Sequence, residues 1–171
     1  NQYLVWLLEP AVVALAVPLF TQFQQIKKQL KAVLICCFGG VLVALLSGSF
    51  IAVLLGGQGQ LLLSLLSKSI TTPIAMEVSQ QIGGIAALTA GVVIIVGIFG
   101  AMVGMKFLIL FKVTNEQAEG LAMGCSAHAV GTARSFEAGE VQGAFSSVAL
   151  VLCAIFTAVL APVFACPSAL T

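Results

Sequence analysis

The side chains that could do chemistry in this sequence are few, and most lie in two polar segments. Lys68 and Arg134 could hold an anionic substrate, and His128 could carry a proton because imidazole changes its charge near neutral pH. Glu77 and Glu137 are the remaining candidates for proton coupling. A structural alternative exists, since Arg134 and Glu137 stand three residues apart and on a helix could neutralise each other.

Small polar residues beside these groups could complete an anion site. Three hydroxyl residues precede Pro73, and proline is favoured at the first position of a helix. Their hydroxyls and the free N–H groups of that helix could hold a carboxylate, or could form an ordinary helix cap. The predicted substrate site comprises Lys68, Ser69, Thr71, Thr72, Ser126, Gly131, Thr132 and Arg134.

Nothing in the sequence predicts an enzyme, a cofactor or a metal site. Ser126 and His128 are two residues apart and do not face each other on a helix, which argues against a serine hydrolase. No phosphate-binding loop or dinucleotide fingerprint is present. The cysteines form no CxxC motif, no second histidine could complete a metal site, and we expect them to act as small hydrophobic residues. They are Cys36, Cys37, Cys125, Cys153 and Cys166.

Composition places these segments in a lipid bilayer. The chain has 171 residues, of which 60% are hydrophobic and 8% charged, against about 25% charged in a soluble protein. Residues 32–67, 78–105 and 141–171 carry no charge, and a membrane-spanning helix needs about 20 apolar residues. This composition excludes a soluble enzyme, a nucleic-acid-binding protein and a disordered chain. Because the chain begins at Asn1 without a signal peptide, we expect one membrane domain, 1–171, that lacks N-terminal helices.

The predicted architecture is an all-α, polytopic membrane helix bundle. The polar stretch from Thr21 to Lys31 is the most basic loop and is therefore expected on the cytoplasmic side. The glycines at 97, 100 and 104 have the small-xxx-small spacing typical of close helix packing in membranes. The predicted spans are 4–20, kinked by Pro10 and Pro18, then 32–55, 85–111 and 144–164.

Two interrupted segments, 61–84 and 118–143, separate these spans. A shift of 60 residues aligns Thr72 with Thr132 and Glu77 with Glu137, which predicts repeat units over about 61–111 and 118–164. Paired broken segments in two halves of a chain point to a transporter site. We expect each segment to be re-entrant, so that the repeats are inverted and the broken segments meet near the midplane. Two fully spanning segments in a parallel repeat are the alternative.

Several motifs resemble the LrgB/CidB family. They are PAVVALAVPL at 10–19, KSITTPIAM at 68–76, IGGI at 82–85, GLAMG at 120–124, SAHAVGTAR at 126–134 and GAFSS at 143–147. The resemblance covers essentially the whole chain. It departs after residue 76, where the EVSQQ of residues 77–81 is more polar than the family pattern, so it supports a role for Glu77 less than one for Lys68.

The resemblance implies a multi-pass protein of the bacterial inner membrane that works beside a small, holin-like LrgA/CidA-type membrane protein. It also implies one of two activities: regulation of murein hydrolase export and lysis, or transport of small carboxylates such as pyruvate, glycolate and glycerate. The residues favour a transporter for a small anion. Together with the resemblance, they lead us to expect a carrier for small monocarboxylates, proton-coupled through His128, with holin/antiholin-associated regulation as the alternative that the resemblance implies. A homo-oligomer is compatible with either the carrier or the regulatory function. A carrier needs unpaired cationic donors, whereas a regulatory scaffold would let Glu137 neutralise Arg134.

Overall fold

Helices account for all the regular secondary structure in the part of the chain that the computed structural model describes, residues 16–54, 56–57 and 59–165. The expected all-α class is therefore confirmed. Most of the predicted span 4–20, including Pro10, falls outside the described residues. The helices are α1 Ala16–Thr21, α2 Phe23–Lys28, α3 Leu30–Leu54, α4 Gln60–Leu66, α5 Thr72–Gln81, α6 Ala86–Leu110, α7 Glu116–Ala138 and α8 Glu140–Phe164.

Three long helices are apolar enough to cross a membrane. Each of α3, α6 and α8 has 25 residues, with mean hydropathy between 2.3 and 2.5. At about 1.5 Å per residue each is about 38 Å long, more than the ~30 Å hydrocarbon core of a bilayer. Large apolar side chains on their outer faces are exposed, including Ile35, Ile95 and Val159, each about two thirds or more exposed. The chain is a multi-pass membrane protein.

Two boundaries differ from the sequence predictions. The stretch 21–31, expected as a loop, is mostly helical, because its glutamines and lysines are good helix formers and only Gln22 and Gln29 interrupt it. Helix α8 begins at Glu140 rather than at 144, since Gln142 and Gly143 are buried against α7. It also continues past Pro162 to Phe164.

The first interrupted segment forms a helical hairpin, residues 60–81, which we call the first hairpin. Helices α4 and α5 have 7 and 10 residues and are too short to span. The chain reverses between them: the Ser67 hydroxyl at the end of α4 donates a hydrogen bond of 3.0 Å to the Ala75 carbonyl of α5. A second reversal precedes α6, as shown by the 2.7 Å distance between the hydroxyl oxygens of Ser79 in α5 and Thr89 in α6. Helices α3 and α4 are also antiparallel, joined by a short connection.

The second interrupted segment, α7, is a second hairpin rather than one straight helix. At His128 the backbone leaves the helical region, with φ 39° and ψ −132°, and divides α7 into arms 116–127 and 129–138. A Cβ on Gly131 would lie 2.9 Å from the Met123 carbonyl oxygen. In a straight helix these residues would be about 12 Å apart along the axis, so the second arm folds back on the first. Both interrupted segments are therefore broken, as expected.

Contacts along α6 and α8 fix the direction of the second hairpin. The first arm is antiparallel to α6, because later residues of the second hairpin lie against earlier residues of α6. The contacts are Gly104 with Met123, Gly100 with Ala127 and Gly97 with His128. Glycines 120 and 124 contact residues 142 and 146 of α8, so the first arm and α8 are parallel. The two hairpins consequently enter the bundle from opposite ends. The break of the first hairpin is the stretch 67–71, and that of the second is His128. The repeat boundaries stay a prediction.

The alternating directions of successive helices place the two helix ends that carry lysines on one side of the bundle. The start of α3 beside Lys31 and the end of α6 beside Lys106 lie at the same end, because α3 and α6 are antiparallel. We predict that this end is cytoplasmic, as lysine-rich segments are.

Thiol labelling checks that orientation. In a chain without its own cysteines, Gln29→Cys and Thr114→Cys should react with an impermeant reagent from the cytoplasmic side only. Gln60→Cys, at the start of α4, is the control and should react only from the opposite side. Labelling of residues 29 and 114 from different sides would contradict the described topology.

Candidate functional site

A cavity of about 470 Å³ is lined by residues from the tips of both hairpins. Lys68 and Ser69 come from the first hairpin, and Cys125 and Ser126 from the second. Helix α3 forms a further wall, and Val96 of α6 contributes to the lining. The cavity therefore unites residues from both interrupted segments, and most of its lining is apolar or small.

Lys68 is the cation of this cavity. Its Nζ donates a hydrogen bond of 2.9 Å to the backbone carbonyl of Ala44. The ammonium also rests against Gly48, where a Cβ would lie 3.0 Å from Nζ. The glycine thus leaves room for the half-buried side chain, and an ammonium has three donors, so two remain after the bond to Ala44.

The serines of the cavity supply oxygen atoms. The Ser126 hydroxyl donates to the Ala122 carbonyl at 2.7 Å, and that of Ser47 to Ala44 at 3.2 Å. Because each of these hydroxyls already donates to backbone, its oxygen can act mainly as an acceptor. The side-chain donors of the lining that are available to an anion are accordingly the ammonium of Lys68 and the hydroxyl of Ser69.

His128 occupies the tip of the second hairpin and is buried, with 3% exposure. Its Nε2 lies 2.9 Å from the Val93 carbonyl oxygen, which only accepts, so Nε2 carries a proton. The ring packs against α6 at Gly97, where any Cβ would overlap it. His128 therefore joins the hairpin tip to α6 and is not among the residues that line the cavity.

Arg134 and Glu137 lie away from the cavity. They form an ion pair on the second arm, with side chains 52% and 64% exposed within the chain. Glu77 is exposed on α5, where it accepts a long hydrogen bond of 3.4 Å from Gln81. The structure does not bring these three groups to Lys68. The local ion pair that the sequence allowed as an alternative is the arrangement observed.

The remaining predicted site residues have structural contacts. Thr132 is buried, donates to the His128 carbonyl at 2.9 Å and lies 2.9 Å from the Ser146 hydroxyl. Gly131 is buried where the arms fold together. Thr71 precedes α5 but makes no side-chain capping bond, and neither it nor Thr72 lines the cavity. Of the predicted substrate residues, only Lys68, Ser69 and Ser126 meet there.

Three cysteines form a cluster that was not predicted from the sequence. Sγ of Cys125 lies 3.9 Å from Sγ of Cys37 and 3.4 Å from Sγ of Cys153. The three residues belong to α3, α7 and α8 and are distant in sequence, so no local spacing signals the cluster. Cys36, adjacent to Cys37, is exposed and lies outside it.

Comparison with known proteins identifies the family. The LrgB-like family profile matches residues 1–166. An uncharacterized protein of Haemophilus influenzae is 42% identical over 156 residues, covering 91% of this chain and 68% of the relative. YwbG of Bacillus subtilis is 40% identical, with 91% and 69% covered.

A relative with a functional name is the antiholin-like protein LrgB of Bacillus cereus. It is 35% identical over 157 residues, covering 92% of this chain and 68% of the relative. No solved structure matches the chain. The profile match over nearly the whole sequence, together with these relatives, shows that the chain belongs to the LrgB-like family of membrane proteins.

Proposed function

We propose that this protein is an antiholin-like regulator of cell lysis in a bacterial inner membrane. The observation that carries the proposal is the neutralisation of Arg134 by Glu137 at the surface of the second hairpin. A scaffold can accept that pair, whereas a carrier that used Arg134 as its anion ligand could not. The name of the Bacillus cereus relative, antiholin-like protein LrgB, supports the same function.

The other cationic candidates also have protein partners. Lys68 is bonded to Ala44 of α3, and His128 to Val93 of α6. These bonds join both hairpin tips to long helices, so neither group is a free cation at the tip. The exposed apolar faces of α3, α6 and α8 leave surface for lipid and for a second membrane protein. We infer that this partner is a small, holin-like protein of the LrgA/CidA type.

The test is the timing of lysis. A bacterial culture that produces the small holin-like protein alone is compared, by optical density, with one that also produces this chain. We expect the second culture to lyse later. The control is an unrelated multi-pass membrane protein produced to the same level in the membrane. Unchanged lysis timing with this chain, or a delay no longer than with the control, would contradict the proposal.

A second candidate function is passage of small monocarboxylates of the pyruvate, glycolate or glycerate class. The cavity favours it, because two hairpins of opposite direction both contribute lining residues, including Lys68. Two ammonium donors of Lys68 are available to a carboxylate. Coupling to a proton would fall to His128, which would have to release Val93 to take part.

Lys68→Met tests this candidate directly. Methionine keeps much of the side-chain volume but removes the charge, so uptake of labelled pyruvate, glycolate or lactate into proteoliposomes should fall on the order of tenfold or more, as for loss of a charged hydrogen bond. Lys112→Met, which removes an exposed lysine at the end of α6, is the matched control and should transport as the parent does. Equal uptake by all three chains would exclude Lys68 as the carboxylate ligand.

A further inference from the structure

The three clustered cysteines converge from three separate helices on one point inside the bundle. Their Sγ atoms all lie within 4.8 Å of one another. Cys37 and Cys153 are buried, with 0% and 1% exposure, and Cys125 is partly buried. Two glycines make the convergence possible. A Cβ at Gly40 would already touch Cys125 at 3.4 Å, and Gly124 lets α8 approach the first arm closely.

The spacing of the sulfurs suits a tetrahedral cation. Zinc binds thiolate sulfur at about 2.3 Å, so two thiolates on one tetrahedral ion stand about 3.8 Å apart. The two measured separations, 3.9 Å and 3.4 Å, lie on either side of that value. Only small side-chain rotations would be needed to bring the three sulfurs around one ion.

The cavity supplies the fourth ligand position and the way in. Cys125 lines the cavity, whereas Cys37 and Cys153 are buried and are not among the lining residues. A zinc ion held by three protein ligands keeps its fourth position for water. That position would point toward the cavity, which is large enough for water.

Charge balance is available beside the cluster. Three thiolates and one divalent cation carry a net charge of −1, which is costly inside a membrane unless it is paired. Lys68 lines the same cavity and bonds to Ala44, one helical turn beyond the Gly40 that contacts Cys125. The rise from Gly40 to Ala44 is about 6 Å along α3, so the ammonium and the cluster are held by neighbouring turns of one helix, and Lys68 is the cation of the cavity that could compensate the charge.

We propose that Cys37, Cys125 and Cys153 form a three-thiolate site for Zn²⁺, with water as the fourth ligand. Binding converts Zn²⁺, three thiols and one water into an anionic complex, Zn(SR)₃(OH₂)⁻, and releases three protons. No electrons are transferred. The three ligands are residues that neither the regulatory nor the carrier function uses, whereas the cavity and Lys68 are shared with the carrier candidate.

Metal titration of the purified full chain in detergent tests the proposal. Cys36→Ser/Cys166→Ser is the background, so that only the three clustered cysteines remain. Zn²⁺ should bind in a 1:1 ratio, and Co²⁺, used as the optical probe, should produce a thiolate-to-cobalt charge-transfer band. Each of Cys37→Ala, Cys125→Ala and Cys153→Ala should abolish the band and weaken Zn²⁺ binding well beyond the 10–100-fold typical of lost outer-shell partners.

The background chain is itself the matched control, because Cys36 is adjacent to Cys37 but lies outside the cluster. Circular dichroism and the elution volume show that each variant is folded. Lys68→Met, which keeps all three sulfurs, should weaken Zn²⁺ binding on the order of tenfold through the lost charge. The proposal is overturned if the folded background chain gives no cobalt–thiolate band, or if the three alanine variants bind Zn²⁺ as tightly as it does.

Discussion

Gly124→Leu should prevent the second hairpin from packing on α8. Any Cβ at residue 124 overlaps the Ser146 carbonyl oxygen and would lie 2.8 Å from Cβ of Ala149. Neither atom can rotate away, because one belongs to the backbone and the other to alanine. Overpacking a core typically costs about 1–3 kcal/mol, and here we expect about 3 kcal/mol or more. The thermal unfolding midpoint of the detergent-solubilised chain measures the loss.

Gly91→Leu is the control for that substitution. Gly91 is exposed on α6, and a Cβ there would have no neighbouring atom within 4 Å. Leucine is about 1 kcal/mol better than glycine in a helix, so this variant should be as stable as the parent or more so. The packing account would be wrong if the Gly124 and Gly91 variants unfolded at the same temperature.

Gly97→Ala should have the second large effect, because it removes the space that the His128 ring occupies. The new methyl group overlaps the ring, which must leave the Val93 carbonyl. A buried polar group without its partner costs about 1–3 kcal/mol, and the displaced ring adds strain. The loss of stability should be visible as a lower unfolding midpoint. Gly39→Ala, also within a long helix but with no atom within 4 Å, is the control.

A double variant separates this contact from a general effect on α6. If the cost of Gly97→Ala comes from the His128 ring, adding His128→Ala should recover part of it, giving a coupling energy of about 0.5–3 kcal/mol between contacting residues. Additive losses in the two single variants would show that the ring and the glycine do not interact as described.

Hydropathy and charge predicted the long helices and the two broken segments, because these features depend on local composition. Spans of apolar residues must cross the bilayer, and the polar residues of 61–84 and 118–143 cannot do so as continuous helices. The position of the breaks was less evident. Lys68 lies in a turn before Pro73, whose ring favours a helix start, but His128 breaks α7 without a proline or glycine at the break.

The contents of the site were harder to predict, because they depend on which way short helices face. Arg134 and Glu137 are neighbours on one arm, and sequence could not tell whether that arm faced the cavity or the outside. The structure turns them outward and leaves Lys68 as the cation of the cavity. The cysteine cluster needed three tertiary contacts over separations of 88, 28 and 116 residues, and no local pattern encodes those.

The second hairpin illustrates how glycine spacing acts in this fold. Gly97, Gly100 and Gly104 were expected to bring two helices close together. Gly104 and Gly100 contact the first arm, and Gly97 contacts His128 at its end. The partner helix itself could not be identified from the spacing. The partner helix is the first arm of α7, which ends at the reversal at His128 and lies against α6 and parallel to α8.

The central claim is that regulation of lysis depends on the packed hairpins and not on the cation of the cavity. Lys68→Met distinguishes dependence on the packed hairpins from dependence on the cation. It removes the charge that a carboxylate would need but keeps the glycine contacts between α7 and α8. The measurement is the onset of lysis in cultures that produce the small holin-like protein with the parent chain or with Lys68→Met at equal membrane levels. We predict the same delay with both chains. A delay that disappears with Lys68→Met, while the folded variant remains in the membrane, would contradict the claim and favour the carboxylate carrier.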